Sequence, residues 1–391
     1  MRFFSFIFLT LLSCVSLFGS IALDSSQTCK GCHPVIYQEY QNSPHAKSSI
    51  FTDSVHKAIW DKHPAKKKER YKCAKCHTPS DTKLLQALKN NESALPQDNS
   101  IQNTEPISCA YCHQIKDVAL HAKSNTNIMT SKEKTLYSAR EGQKNDANLQ
   151  YEVKTKWFGL LTQKSGSPFH DIDFTNDNFY NGKVCIGCHS HKQNSLHFDI
   201  CNMDVAKHQN EKENCISCHM PKIKGTFTTA QDSKTHRFHG FIGVSNQPAM
   251  LAKYVKITFK RDKDGFEIAI KNEASHQLLL HPLRVGELQV SIQRGTKEIQ
   301  LKPYKFLRII GKDGKPSMPW LADEVLKDNH IKAKEKRIIR FQTPLQSGDV
   351  VEVKLGHYKV NPKIAKKLGL NEDKSLTTFK LFKKERFEVV E

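Results

Sequence analysis

The chain has 391 residues and a formal net charge of +20, from 60 Lys and Arg against 40 Asp and Glu. Its one long apolar run is at the N-terminus, which argues against a multi-span helical membrane protein and predicts a soluble body. So basic a surface steers acidic partners or anionic substrates, or merely keeps the protein solvated.

Residues 1–22 read as a secretory signal peptide. Met1-Arg2 is a short positive start, Phe3 to Leu12 an apolar stretch, and Ser20-Ile21-Ala22 offers small residues for cleavage. Two alternatives stay open. The apolar run reaches almost to Leu23, about the 20 residues that span a bilayer, so it could remain as a membrane anchor. Leu11-Leu12-Ser13-Cys14 also resembles a lipobox. Export leaves nucleic acid without a place as partner, and membrane contact requires that the segment be retained.

Cys-x-x-Cys-His then occurs five times: Cys29/Cys32/His33, Cys73/Cys76/His77, Cys109/Cys112/His113, Cys185/Cys188/His189 and Cys215/Cys218/His219. This is the pattern of c-type haem attachment, in which two thiols bond the porphyrin and the His is the proximal iron ligand. Structural zinc needs four ligands, so its pairs come two by two. A thioredoxin-like site needs one pair in a βαβ frame. Five pairs, each followed by His, fit neither, and the chain is predicted to hold five covalently bound haem c. Of twelve cysteines only Cys14 and Cys201 lie outside the motifs; Cys201 reads as a small buried residue, and no disulfide is expected.

The organisation predicted is α+β: a pentahaem cytochrome c domain over residues 23–249 and a β-sandwich, Ig-like, over 250–391. Roughly 45 residues per motif cannot build a large protein core around each cofactor, so short helices and long loops are expected. Pro34 to Tyr40, Asp53 to Lys62 and Thr82 to Lys89 read as helices. Asn90 to Pro106 reads as a loop, and Ser124 to Asn148 as an exposed insertion. From Met250 period-two alternation begins. Strands are expected at Val255–Lys260, Phe266–Lys271, Glu287–Gln293, Lys297–Ile310, Arg337–Gln342, Val350–Leu355 and Thr377–Val389. Lys332, Lys334 and Lys336 would share one face of a strand, with Arg337 and Arg340 beside them, as a docking patch or a solvated edge.

An iron with only a proximal His keeps one position for a distal ligand or a substrate. Fourteen histidines lie outside the motifs. Here the sequence resembles the cytochrome c-554-type multihaem family, through Cys29-Lys-Gly-Cys32-His33-Pro34, Glu39-Tyr40 and Ser43-Pro44-His45-Ala46. The resemblance implies that His45 is a distal ligand. Ser167-Pro168-Phe169-His170 looks like a second distal position, and His236-Arg237-Phe238 like a third, with His239 as rival to His236. Asn272-Glu-Ala-Ser-His276 is similar to a ligand segment of such cytochromes, with Ser in place of Gly. The fifth ligand is open among His121, His63, His197 and His56, with His121 preferred.

The function expected is electron transfer between redox partner proteins, which include acidic ones, a membrane quinol-oxidising cytochrome or a terminal reductase of anaerobic respiration. No catalytic residue is assigned. The alternative is a multihaem oxidoreductase acting on a small nitrogen or sulfur compound at one five-coordinate haem. A third reading makes the β-sandwich an adhesion or docking module.

Overall fold

The computed structural model describes residues 25–98, 100–156, 161–203, 212–230, 233–243, 246–278 and 281–390. The signal segment, Cys14 and His208 lie outside them. Among the described residues no helix is long and apolar enough to cross a membrane.

Each motif is one helical turn. The His N–H bonds the carbonyl of the first Cys at 2.8 Å in motif one, 3.0 Å in motif two and 2.9 Å in motif four. This i to i+4 closure puts the first thiol and the imidazole on one side of the backbone. The turns are short, so local capping stabilises them. Ser108 Oγ accepts from the Tyr111 N–H at 3.1 Å. Asn214 and Ser217 form a reciprocal capping box on Cys215–His219. Helices also form at Pro34–Gln41, Ser54–Lys62 and Thr82–Lys89, and Asp53 and Asp81 cap the last two.

Apolar clusters in this half are small. One joins Trp60, Tyr71, Ala74 and Leu84; another joins Ile115, Val118, Tyr137, Phe179 and Val184. The stretch from Ser124 to Asn148 departs from the expected exposed insertion. It contains strands Thr126–Met129 and Thr135–Tyr137. The second pairs in parallel with Asp171–Asp173 and buries Thr135 and Tyr137. The polar composition hid this because only alternate residues face inward.

The C-terminal half is built on strands. Val255–Asp262, Gly265–Asn272 and Lys336–Phe341 form one antiparallel sheet. Val285–Arg294, Val350–Tyr358 and Lys380–Glu388 form the centre of another, with Lys297–Gln300 and Tyr304–Phe306 on the free side of Val285–Arg294. One apolar core lies between the sheets, with Ile268, Ile270, Leu288, Ile292 and Val351 fully buried. Helices Pro362–Leu368 and Lys374–Thr377 precede the last strand.

The lysine run does not form one strand face. Lys332 to Glu335 is a turn closed by Glu335 N–H to Lys332 C=O at 3.2 Å, and Lys334 has φ +58°. The positive charge is largely matched nearby: Lys334 pairs with Glu213 at 3.1 Å, Arg337 with Glu335 at 2.6 Å and Arg340 with Glu267 at 2.6 Å.

The halves meet through specific contacts. The Arg308 guanidinium donates to the Asp199 and Ile200 carbonyls at 2.7 and 2.8 Å. Asn194 Nδ2 donates to the Pro319 and Ala322 carbonyls at 2.9 and 2.6 Å. Trp320 meets the His63 ring edge-on at 4.9 Å.

Candidate functional site

All ten motif cysteines and all five motif histidines line one continuous cavity of ≈ 2670 Å³. This is several times the roughly 300–1,000 Å³ of an ordinary small-molecule site. The motifs touch one another across it. Cys29 lies beside Cys109, Cys76 beside Cys188, and Cys185 beside Cys215. Motif one therefore adjoins motif three, while motif four adjoins both two and five. Spatial order is not chain order.

The proximal imidazoles are oriented by carbonyls from other segments. His33 Nδ1 donates to Phe227 C=O at 2.6 Å, His113 to Tyr137 at 2.6 Å and His219 to Ile242 at 2.5 Å. His77 does the same to Ser48 at 3.2 Å. A proton held at Nδ1 leaves the Nε2 lone pair for a metal. Strand Thr135–Tyr137, missed in the sequence, supplies the carbonyl for His113.

The same hydrogen bond sorts the other histidines. His170 donates Nδ1–H to Asp171 C=O at 3.4 Å, His239 to Arg237 at 2.7 Å and His276 to Gln277 at 2.8 Å. Two of these rings stack on a motif ring: His239 on His113 at 6.3 Å and 21°, His276 on His219 at 6.0 Å and 21°. His45 faces His189 at 5.9 Å and 41°. Two metal–imidazole bonds of about 2 Å each, plus the ring radii, need a separation of about 6 Å. His170 lies in the same cavity, where the motif imidazole that acts on it most strongly is His33. Burial holds His45 and His239 down to about 3, with the charges of His189 and His113 adding to it. These rings stay neutral at physiological pH, as ligation requires.

Other sequence candidates are engaged elsewhere. His236, expected as a distal ligand, has both ring nitrogens bonded: Nδ1 to Gly225 C=O at 3.1 Å and Nε2 to Glu39 Oε1 at 2.8 Å. Glu39 Oε2 also accepts the His239 N–H at 2.8 Å, so the His236–Glu39 pair holds the segment that presents His239. The preferred fifth ligand, His121, is exposed and off the cavity lining; His197 is likewise exposed. His63 Nδ1 accepts the Ala65 N–H at 3.1 Å, the opposite of the ligand arrangement. The His56 ring lies tilted by 42° against His77 at 3.8 Å, too close for a metal between them, and bonds Ser48 C=O and Tyr71 Oη. The Nδ1–H of His56 goes to the same Ser48 carbonyl as that of His77, and their 3.8 Å separation is shorter than the axial spacing seen at the other pairs. Cys201 also lines the cavity, with its thiol pushed up by burial.

These residues fit covalent haem: thiol pairs and neutral Nε2 donors converge on one large cavity, and imidazole pairs stand at the spacing of two axial bonds.

Residues 28–114 match the family described as cytochrome c554 and c-prime. No curated protein matches the chain in sequence. Among solved structures, the fold is similar to a penta-heme cytochrome c552 from Thermochromatium tepidum. The TM-score is 0.70 at 20% identity, over 94% of this chain and 100% of that one.

Proposed function

We propose that this multihaem c-type cytochrome is an exported electron carrier that holds five haems c in its cavity, at least four of them between two histidines. The observation that carries this reading is the convergence of five attachment turns on one cavity, with His45, His239 and His276 each facing a motif imidazole at 5.9–6.3 Å. When bound, haem supplies one-electron iron chemistry at a potential set by axial ligands and burial. The chain's own residues do the rest. Cys29, Cys32, Cys73, Cys76, Cys109, Cys112, Cys185, Cys188, Cys215 and Cys218 tether the cofactors. Backbone carbonyls fix the ring tautomers, and the attachment cysteines of neighbouring motifs lie side by side. His170 completes the site of His33 in this reading. The C-terminal half, whose two larger sheets we read as an Ig-like sandwich, supplies His276.

The N-terminal segment supports a periplasmic location after export. Donor and acceptor are redox proteins, with acidic partners favoured by the basic charge. Mass spectrometry of the purified protein should show the polypeptide plus five haems that acid-acetone does not extract. A mass with fewer haems, or bound zinc, would overturn the assignment.

One observation favours a second reading beside the carrier. The ring beside the motif imidazole His77 is His56 at 3.8 Å, too close for a metal between the two. A haem there would be five-coordinate, open to a small nitrogen or sulfur compound. Electron paramagnetic resonance of the oxidised protein tests this directly: one high-spin haem supports it, and five low-spin haems defeat it.

A further inference from the structure

The positive charge of the C-terminal lysine run is matched by carboxylates, but that around motif two is not. Lys72 directly precedes Cys73, and Lys75 lies between the two attachment cysteines. Lys192 comes from strand His191–Gln193, and its charge acts on Cys73, Cys76 and Lys75. The Gln193 N–H bonds the Lys123 carbonyl at 2.9 Å, which brings Lys123 beside that strand. Lys75 Nζ donates to Ser124 Oγ at 3.2 Å and Thr126 Oγ1 at 2.9 Å, which ties the Lys123 segment to motif two. Lys72, Lys123 and Lys192 are exposed and also line the cofactor cavity. None of the three has an ion-pair partner among the described residues. Like charges gathered this way repel one another, and an acidic surface brought against them relieves that repulsion.

These lysines lie at the tethered edge of the cofactors. Lys75 also feels Cys188, which lies beside Cys76, so motifs two and four meet here. The carboxylates of haem c sit on the porphyrin edge opposite its thioether bonds. Haems tethered at motifs two and four therefore carry their negative charge away from this face and leave the lysines to an external partner. Outer-sphere electron transfer weakens steeply with distance, so a partner has to dock where a cofactor edge nears the surface.

An apolar centre stands beside Lys192. Leu196 and Leu321 are 47% and 51% exposed. Buried Asn194 holds both in place. Its Oδ1 accepts the Leu196 and Phe198 N–H groups at 2.9 and 3.2 Å, and its Nδ2 donates to the Pro319 and Ala322 carbonyls on either side of Leu321. Apolar side chains beside a charged rim are the make-up of a protein interface, and a surface already held rigid loses little entropy on binding.

We propose that Lys72, Lys123 and Lys192, with Leu196 and Leu321, form the docking surface for an acidic redox protein. The partner exchanges electrons with the chain at the tethered edges of the motif-two and motif-four haems. In the reducing direction the partner's cofactor is oxidised by one electron and one ferric haem iron becomes ferrous, with no bond made or broken. The site rests on the reading that the chain carries electrons through covalently bound haems, and it fixes where the acidic partner binds.

The test uses the full-length oxidised holoprotein. Haem absorbance follows its reduction by fully reduced flavodoxin, an acidic protein, and by flash-generated lumiflavin semiquinone, which is small and uncharged. Rates are compared at ionic strengths of about 0.01 and 0.1 M, where the Debye length falls from about 30 to about 10 Å. Changing Lys72, Lys123 and Lys192 together to Glu should slow flavodoxin by about 10- to 100-fold at low salt and remove most of the salt dependence. Lumiflavin rates should change less than about twofold, because an uncharged probe is not steered. Lys260 and Lys263 lie at the end of strand Val255–Asp262 away from the cavity, and Lys297 lies beyond strand Val285–Arg294. Changing these three to Glu alters net charge equally and should slow flavodoxin less than about threefold. Covalent haem count and the visible spectrum confirm that each variant has assembled. Equal slowing by the two triple changes would assign the effect to net charge and overturn the site. A native rate that ignores salt, or a patch variant as fast as the native protein, would overturn it too. Slowing of both probes by the patch variant would mean that the lysines act on the haems and not on a partner. If lumiflavin reduces the native protein and flavodoxin does not, the docking surface is wrong while electron carriage stands. If neither probe reduces it, the carrier reading has failed and the site falls with it.

Discussion

His236, buried, and His239, half-buried, are three residues apart, yet they do different work. Glu39 takes the Nε2 of His236 and the backbone N–H of His239 on its two oxygens. His236 is therefore a strut, and His239 is the ring facing His113. His239→Ala should add one high-spin haem to the resonance spectrum, while His236→Ala should add none. Instead, the second change leaves a mostly buried carboxylate without its partner. It should lower stability by about 1–3 kcal/mol, read as a fall in thermal midpoint. A new high-spin signal in His236→Ala alone would reverse the two roles. His357 gives a pH prediction in the C-terminal core. Burial, then the charges of Arg284, Lys380 and Lys359, push its pKa down to about 3, against about 6.5 in the unfolded chain. Between these values the unfolded state binds the extra proton. Stability present above pH 6.5 is lost as pH falls toward 3, by at most about 1.4 kcal/mol per pH unit. His357→Leu should flatten that dependence when thermal midpoints are compared from pH 7 to pH 4. An unaltered slope would assign the effect to other groups.

The haem-binding turns are elements too short to be stable on propensity alone, so their caps carry weight. Asn214 accepts from the Ile216 and Ser217 N–H groups, while Ser217 Oγ accepts from the Asn214 N–H. Asn214 also reaches the Tyr180 carbonyl at 3.0 Å. Asn214→Ala should cost about 1–2 kcal/mol, and Asn214→Ser should recover most of the capping share. Differential scanning calorimetry checks both; equal midpoints for native and Ala proteins would deny the cap any role. Helices were readable from sequence at Asp53 to Lys62 and Thr82 to Lys89, where the structure has Ser54–Lys62 and Thr82–Lys89. Strand Thr135–Tyr137 was not readable: its partner, Asp171–Asp173, is remote in sequence, and a three-residue strand shows no periodicity.

At the scale of the whole molecule, the C-terminal sheets complete the cofactor cavity. His276 comes from this half, and Arg308 fastens it to the segment between motifs four and five. Arg308→Ala removes two hydrogen bonds from a charged donor, each worth about 1.5–3 kcal/mol. The interface should open more often, with faster amide exchange at Asp199–Asn202 and a partial high-spin signal from the haem that loses His276. Unchanged exchange there would mean that Asn194 and Trp320 suffice to hold the halves together.

The sequence by itself determined the cofactor chemistry. Cys-x-x-Cys-His is a local device whose three reactive groups lie within one helical turn, so spacing alone specifies it. His45, which faces His189, could be singled out through its resemblance to a known ligand segment, and most C-terminal strands through alternation, because both signals are contiguous in the chain. Tertiary structure decided what depends on remote partners. It set motif four beside two and five, turned His236 into a strut through Glu39, and left His121 and His197 in solvent. It also brought His281 and Arg284 to the cavity that His77 lines, about 200 residues away in the chain. A histidine's role follows from which nitrogen carries the proton. That depends on a carbonyl or N–H positioned by the fold, which residue identity alone does not encode.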